Sequence, residues 1–159
     1  PGNKGATAPR SSGPLEGDIG AMAFMQAAAL CQGLPENVLM QLGKAGRILA
    51  YGLGDTIFTE GATDDCLYLI LEGGITVRKK HRGSVVELAS MGRQGVFGEI
   101  SVLTRQPRAT SVVTRTATRV IQISGETVRA VAEASPKFGR KLAGLMSGRT
   151  KDTDKKLSG

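Results

Sequence analysis

The sequence predicts a mainly β domain with α-helices at both ends, and three observations point there. In the middle of the chain, glycines divide the apolar residues into short runs about ten residues apart, the spacing of a barrel or sandwich. Both flanks instead carry apolar residues at helical intervals. The composition has 22 glycines, no tryptophan and only 4% aromatic residues, which leaves the core to Leu, Ile, Val, Ala and Met. With 159 residues, 40% apolar and 22% charged, the chain is one domain, long enough to bury about two thirds of its unfolded surface without disulfides or metals.

Residues 1–20, rich in Pro, Gly, Ser and Thr and without apolar periodicity, read as a disordered linker or leftover segment. They lack the basic start and apolar run of a secretory signal. Ala21 to Leu30 reads as a short helix rich in Ala and Met. After Gly33, Pro35 opens a second helix in which Val38, Leu39, Leu42 and Ala45 share a face. The period changes at Arg47, and the strands that follow centre on Thr56–Phe58, Leu67–Leu71, Ile75–Val77, Val85–Leu88, Ser111–Val113 and Val120–Ile123. Ser124 then caps a helix with Glu126 in its first turn and Val128, Val131 and Ala132 on its apolar face. Ser135 and Pro136 restart a helix whose Phe138, Leu142, Leu145 and Met146 make one apolar stripe. Gly139, Gly144 and Gly148 each cost that last helix about 1 kcal/mol relative to Ala, so it needs a surface to dock on. The folded domain spans 21–149, and residues 150–159 form a charged, frayed tail.

The chemistry concentrates between Gly95 and Ser111. Gly98 lets backbone approach a ligand, and Ile100 to Thr104 can form a helical turn whose free amides favour an anion. Arg108 offers a planar fork suited to phosphate, and Glu99 an acceptor suited to a hydroxyl. A phosphate beside Glu99 would be repelled unless neighbouring donors partly neutralise the acid. Taken singly these are ordinary turn residues; their order and spacing carry the signal.

That order resembles the cyclic nucleotide-binding domain family. The family's phosphate-binding cassette reads Phe-Gly-Glu-(Leu/Ile/Met)-(Ala/Ser), a short loop, then Pro-Arg-(Ala/Ser/Thr)-Ala-Thr. Here Phe97, Gly98, Glu99, Ile100, Ser101, Pro107, Arg108 and Ala109 match it. Gly54, Asp55, Ile57, Gly61, Asp65, Tyr68, Ile70 and Gly73 resemble the family's earlier turns and strands, and Gly92 and Gly95 its turn before the cassette. The likeness covers 24–146.

The resemblance implies an eight-stranded antiparallel, jelly-roll-like β-roll with N-terminal helices and C-terminal lid helices. It also implies a regulatory, non-enzymatic domain that binds a cyclic mononucleotide. Arg108 then takes the cyclic phosphate with amides near Gly98, Ile100, Ser101 and Ala109, while Glu99 takes the ribose 2′-hydroxyl. Guanine-preferring members often carry threonine after the arginine; Ala109 stands there, which favours cyclic AMP over cyclic GMP. Thr110 and Ser111 depart from the usual alanine and threonine. The Thr110 hydroxyl either substitutes for the missing one or points outward from a strand. Leu142, Leu145 and Met146 are the implied lid over the base, and the implied partner is an attached effector domain.

Charge and cysteine usage bound the other readings. The formal net charge is +7, and residues 77–123 carry nine basic side chains against two acidic ones. This suits an anionic partner or a solvated surface. No helix-turn-helix pattern follows the strands and few aromatics could stack bases, so direct nucleic-acid binding is the weaker alternative. A roll that binds only protein partners is the other, and intact Glu99 and Arg108 argue against it. Cys31 and Cys66 form no CxxC pattern, which points to a reducing, cytoplasmic setting. One histidine, His81, placed in a solvated loop, rules out a His-based multi-ligand metal site and leaves no metal or catalytic residues to assign. The uncharged stretch from Ile19 to Gln32 is too short and weakly apolar to span a membrane, so membrane association would come only through a larger parent protein.

Overall fold

Along the strand Cys66–Glu72, Leu67, Leu69 and Leu71 alternate with Tyr68 and Ile70, and all five are buried. A strand buried on both faces needs cover on both. The three leucines join the helices in one apolar core, while Tyr68 and Ile70 join the opposite sheet in a second. Thr118–Ser124 repeats the division, with Ile121 and Ile123 toward the helices and Val120 between the sheets.

The computed structural model describes residue 3 and residues 5–158. Its strands are β1 (Ser11–Pro14), β2 (Arg47–Tyr51), β3 (Thr56–Phe58), β4 (Cys66–Glu72), β5 (Gly74–His81), β6 (Ser84–Gly92), β7 (Val96–Phe97), β8 (Ser111–Thr114) and β9 (Thr118–Ser124). They form two antiparallel sheets, ordered β1-β2-β9-β4-β7 and β3-β8-β5-β6. Strands β2 to β9 make up the expected eight-stranded roll. The tight β5–β6 hairpin turns on Arg82 and Gly83, both at positive φ, as a two-residue connection with the right twist requires. His81 therefore ends a strand, half-buried, and is not in a solvated loop.

The helices are α1 (Ile19–Ala27), α2 (Glu36–Ala45), α3 (Glu99–Thr104), α4 (Gly125–Ala134) and α5 (Pro136–Ser158). The Asp18 carboxylate accepts from the Ala21 amide at 3.0 Å and caps α1; Ser124 does the same for α4 through the Thr127 amide. Phe138 and Leu142 of α5 are fully buried against α1, α2 and the leucine face of β4.

The structure corrects the reading of both termini. The segment expected to be a disordered linker is tied to the roll over most of its length. β1 pairs with β2 from Ser11 opposite Ala50 to Pro14 opposite Arg47, the Thr7 amide donates to the Thr56 carbonyl, and Leu15 is fully buried among the helices. Arg10 grips Asp55 with two nitrogens at 3.1 and 3.3 Å. Pro14 is tolerated because β1 is an edge strand, where a missing N–H breaks no ladder. Residues 1, 2 and 4 of the expected linker lie outside the described residues. At the other end the expected frayed tail continues α5 without a break through Ser158.

Candidate functional site

The sharpest local constraint is at Gly98, between β7 and α3. Its φ is +90°, and a Cβ there would stand 2.8 Å from the Cys66 carbonyl oxygen and 3.0 Å from the Arg108 guanidinium. Glycine is the one residue that accepts both the conformation and the close approach. The bend it makes starts α3 beside a cavity of about 610 Å³, within the range of small-molecule sites. Phe97, Gly98, Glu99, Ile100, Ser101, Arg108, Ala109 and Thr110, the residues singled out in the sequence, all line this cavity.

Arg108 is 3% exposed. Its Nε donates to Asp64 at 3.0 Å, one terminal nitrogen to Asp64 and the Cys66 carbonyl at 2.8 and 2.7 Å, and the other to the Gly98 carbonyl at 2.9 Å. The guanidinium lies 4.0 Å over the Phe58 ring. Phe58 in turn packs against Tyr68 and Phe97, whose rings stack at 4.9 Å. Four of the five N–H groups are thus engaged by protein, and one is left for the cavity. The first-turn amides of α3 have no acceptor within their own helix, so the cavity wall offers several donors side by side.

Glu99 is 2% exposed, and its carboxylate pairs with the Arg149 guanidinium of α5. A second nitrogen of Arg149 lies 3.7 Å from the Met91 sulfur. Burial lowers the Arg149 pKa from its ordinary value, and pushes the Cys66 thiol up to about 11 and the Tyr68 hydroxyl well above its usual range. Thr110 sits in the bend before β8, facing the cavity, so it is not an outward strand residue. Lys79 fixes the neighbouring backbone by donating to the Ala109 carbonyl at 2.9 Å.

The implied lid residues lie elsewhere. Leu142 is fully buried in the helical core, Leu145 packs on the same core, and Met146 does not line the cavity. The side chains of α5 that close it are Arg149, Asp152, Thr153, Lys155 and Lys156. A signal for them exists, since 149, 152/153 and 156 continue the spacing of 142 and 145/146. The stripe changes from apolar to charged where α5 leaves the core, and a search for apolar lid residues stops there. The apolar lining from Phe58, Val77, Leu88, Ala89, Met91 and Val112 also carries no sequence signature apart from ordinary strand alternation.

The cyclic nucleotide-binding domain family matches residues 48–135, over half the chain and all of the cassette. This chain belongs to that family. Such domains are regulatory and not catalytic. The domain is 27% identical, over 82% of its length, to a cAMP-activated global transcriptional regulator from Mycobacterium tuberculosis, spanning 59% of that relative. It is 31% identical over 56% of its length to a Drosophila melanogaster cAMP-dependent protein kinase type II regulatory subunit, spanning 24% of it. The Thermus thermophilus catabolite activator protein superimposes with a TM-score of 0.70 at 27% identity, covering 81% of this domain and 61% of that chain. The domain thus spans about three fifths of the length of the M. tuberculosis regulator. Among the described residues no helix is long and apolar enough to cross a membrane, and no group of three His, Cys, Asp or Glu could hold a metal.

Proposed function

We propose that this domain binds cyclic AMP, in preference to cyclic GMP, and passes the event to an attached effector through α5. The observation that carries the reading is that a single cavity gathers seven of the eight residues matched to the cassette, all but Pro107, together with Thr110, and has a buried, pre-oriented arginine and a buried carboxylate on its wall. Arg108 supplies its free N–H to the cyclic phosphate, joined by the first-turn amides of α3 and the amide of Ala109. Glu99 accepts the ribose 2′-hydroxyl. The base lies against the apolar strand residues beneath α5.

Ala109 brings no hydroxyl to a guanine amino group, which favours adenine; Thr110, facing the same cavity, is the residue through which guanine would gain a partner. Movement of α5 is supported by its uneven anchoring. Phe138 and Leu142 are fully buried, whereas Gly144 and Gly148 have no other atoms close to where a Cβ would stand. The half beyond Gly144 is held mainly across the cavity mouth and can tighten or release with ligand. The effector lies outside this sequence, in the cytoplasm or on the cytoplasmic side of a membrane protein. Parallel calorimetric titrations with cyclic AMP and cyclic GMP test the reading. Saturable binding with cyclic AMP the tighter ligand is expected, and the absence of binding to either overturns it.

A further inference from the structure

The N-terminal segment lies outside the family match, which begins at residue 48, and yet the roll is shaped to hold it. Without it, β2 and β3 would each be an open sheet edge. The Thr7 amide donates to the Thr56 carbonyl at 2.8 Å, the Thr56 amide to the Thr7 hydroxyl at 2.9 Å, and the Asn3 side chain to the Ile57 carbonyl at 2.9 Å, so this part covers β3. Ser11–Pro14 then covers β2. Two side chains enter spaces that a glycine leaves open. A Cβ on Gly46 would stand 2.6 Å from Leu15, and one on Gly52 would overlap the Arg10 guanidinium. The acid that meets Arg10 is set by the roll itself. Asp55 is 7% exposed, its carboxylate accepts from the Gly52 amide at 2.7 Å, and its own amide donates to the Thr114 hydroxyl at 2.9 Å. The groove thus selects an extended segment by backbone pairing, an arginine and, five positions on, a leucine.

We propose that the groove takes this segment from a second copy of the chain, so that two molecules exchange residues 3–15 and form a two-fold dimer. The segment in place is itself the measure of fit. A copy's segment brings the same backbone, arginine and leucine, so every contact at the groove is kept on exchange. The arm is also separable from its own roll, since Leu15 is fully buried but Arg10, Ser11, Ser12 and Pro14 are exposed. Between the arm and α1 the chain reverses within four residues. There the Asp18 amide donates to the Leu15 carbonyl at 3.1 Å, and Gly17, at a φ of +99°, has no atom near where a Cβ would stand. Short hinges of this kind favour exchange, because opening the turn disturbs little else. Exchange also gives cover to Ile19, directly after the turn. At 86% exposed it is the barest large apolar residue among the described ones, and two opened turns meeting at a two-fold axis bring both copies of it together. None of these residues lines the nucleotide cavity, so the dimer stands apart from that reading.

The full chain tests the exchange in two ways. In the first, unlabelled Ser11→Cys protein carrying a nitroxide is mixed with isotope-labelled wild type at about 1 mM, the order of a short tether's effective concentration, and left to equilibrate. Exchange predicts that the amides from Ala50 to Asp55 of the labelled chain lose about half their NMR signal, and recover it on dilution. Arg10→Ala in the nitroxide-bearing chain should restore most of the signal, because that arm no longer meets Asp55. Full signal at those amides, or loss confined to another surface such as α5, overturns the inference. In the second, deleting Glu16 and Gly17 removes the slack that lets the arm fold back on its own roll. Sedimentation velocity should find this variant at least about tenfold more dimeric than wild type, and monomeric again once Asp55→Asn is added. A folded deletion variant that stays monomeric, or a dimer indifferent to Asp55→Asn, contradicts the exchange. If the deletion variant does not fold, the mixed-label result decides alone.

Discussion

Replacing Arg108 by alanine should damage folding as well as binding, and the structure sets the size of each effect. The guanidinium is 3% exposed and engages Asp64 twice, with two carbonyls and an aromatic face completing its surroundings. Truncation leaves the Asp64 carboxylate, largely buried, without its cation, and takes one donor from each of the carbonyls of Cys66 and Gly98. Breaking a buried pair on one side costs about 3–5 kcal/mol. The ligand loses a charge-assisted hydrogen bond worth about 1.5–3 kcal/mol, or roughly ten- to a hundredfold in affinity. Urea denaturation monitored by circular dichroism measures the first and calorimetry the second. Asp64→Asn in the Arg108→Ala background should return part of the stability, because the stranded charge is then gone, while affinity stays low. An Arg108→Ala protein within about 1 kcal/mol of wild type in urea, or one that binds cyclic AMP normally, would refute the reasoning.

Three further outcomes follow from the same geometry. Gly98→Ala forces a Cβ against the Cys66 carbonyl at a φ of +90°, so it should lose about 1–3 kcal/mol in urea and weaken ligand binding; wild-type stability counts against the strained turn. Burial raises the Cys31 and Cys66 thiols to about 11, so at about pH 8 a disulfide reagent should label both slowly in the folded protein and at once in denaturant. The Arg129 guanidinium lowers the Asp65 pKa in the folded state. Its contribution to stability is therefore present above the unfolded carboxylate pKa of about 3.9 and is lost as pH falls through the lower folded value. Thermal melts between about pH 6 and 2 should show a shallower acid limb for Asp65→Asn than for wild type.

Much of this molecule is written locally. Alternating apolar residues in β4 and β9, the Ser124 cap and the Phe-Gly-Glu and Pro-Arg segments each announce their element or site within a few positions. What is illegible depends on partners distant in sequence. Ser11–Pro14 becomes a strand because the free edge of β2 accepts it, and nothing in its Pro- and Gly-rich composition specifies that edge. The Arg149 contact with Glu99 spans 50 residues and is made by a charged turn of helix that looks solvated in isolation. The same holds for Asp64, which reads as a loop acid until the fold brings it onto Arg108. The binding wall is legible as a motif. Its roof is not, because the apolar stripe that would mark a lid ends at Leu145 and Met146, one turn short of Arg149.

Occupancy of the cavity between the cassette and α5 by cyclic AMP, as proposed, can be observed residue by residue. Its most direct test is a two-dimensional amide NMR titration of the full chain with cyclic AMP. Saturable shifts are expected at the amides of Gly98, Glu99, Ile100, Ser101 and Ala109 and along residues 149–156, while the amides of Thr56 and Lys80, which do not line the cavity, stay unmoved. Saturation without movement of the cassette amides, or no shifts at all, would contradict it.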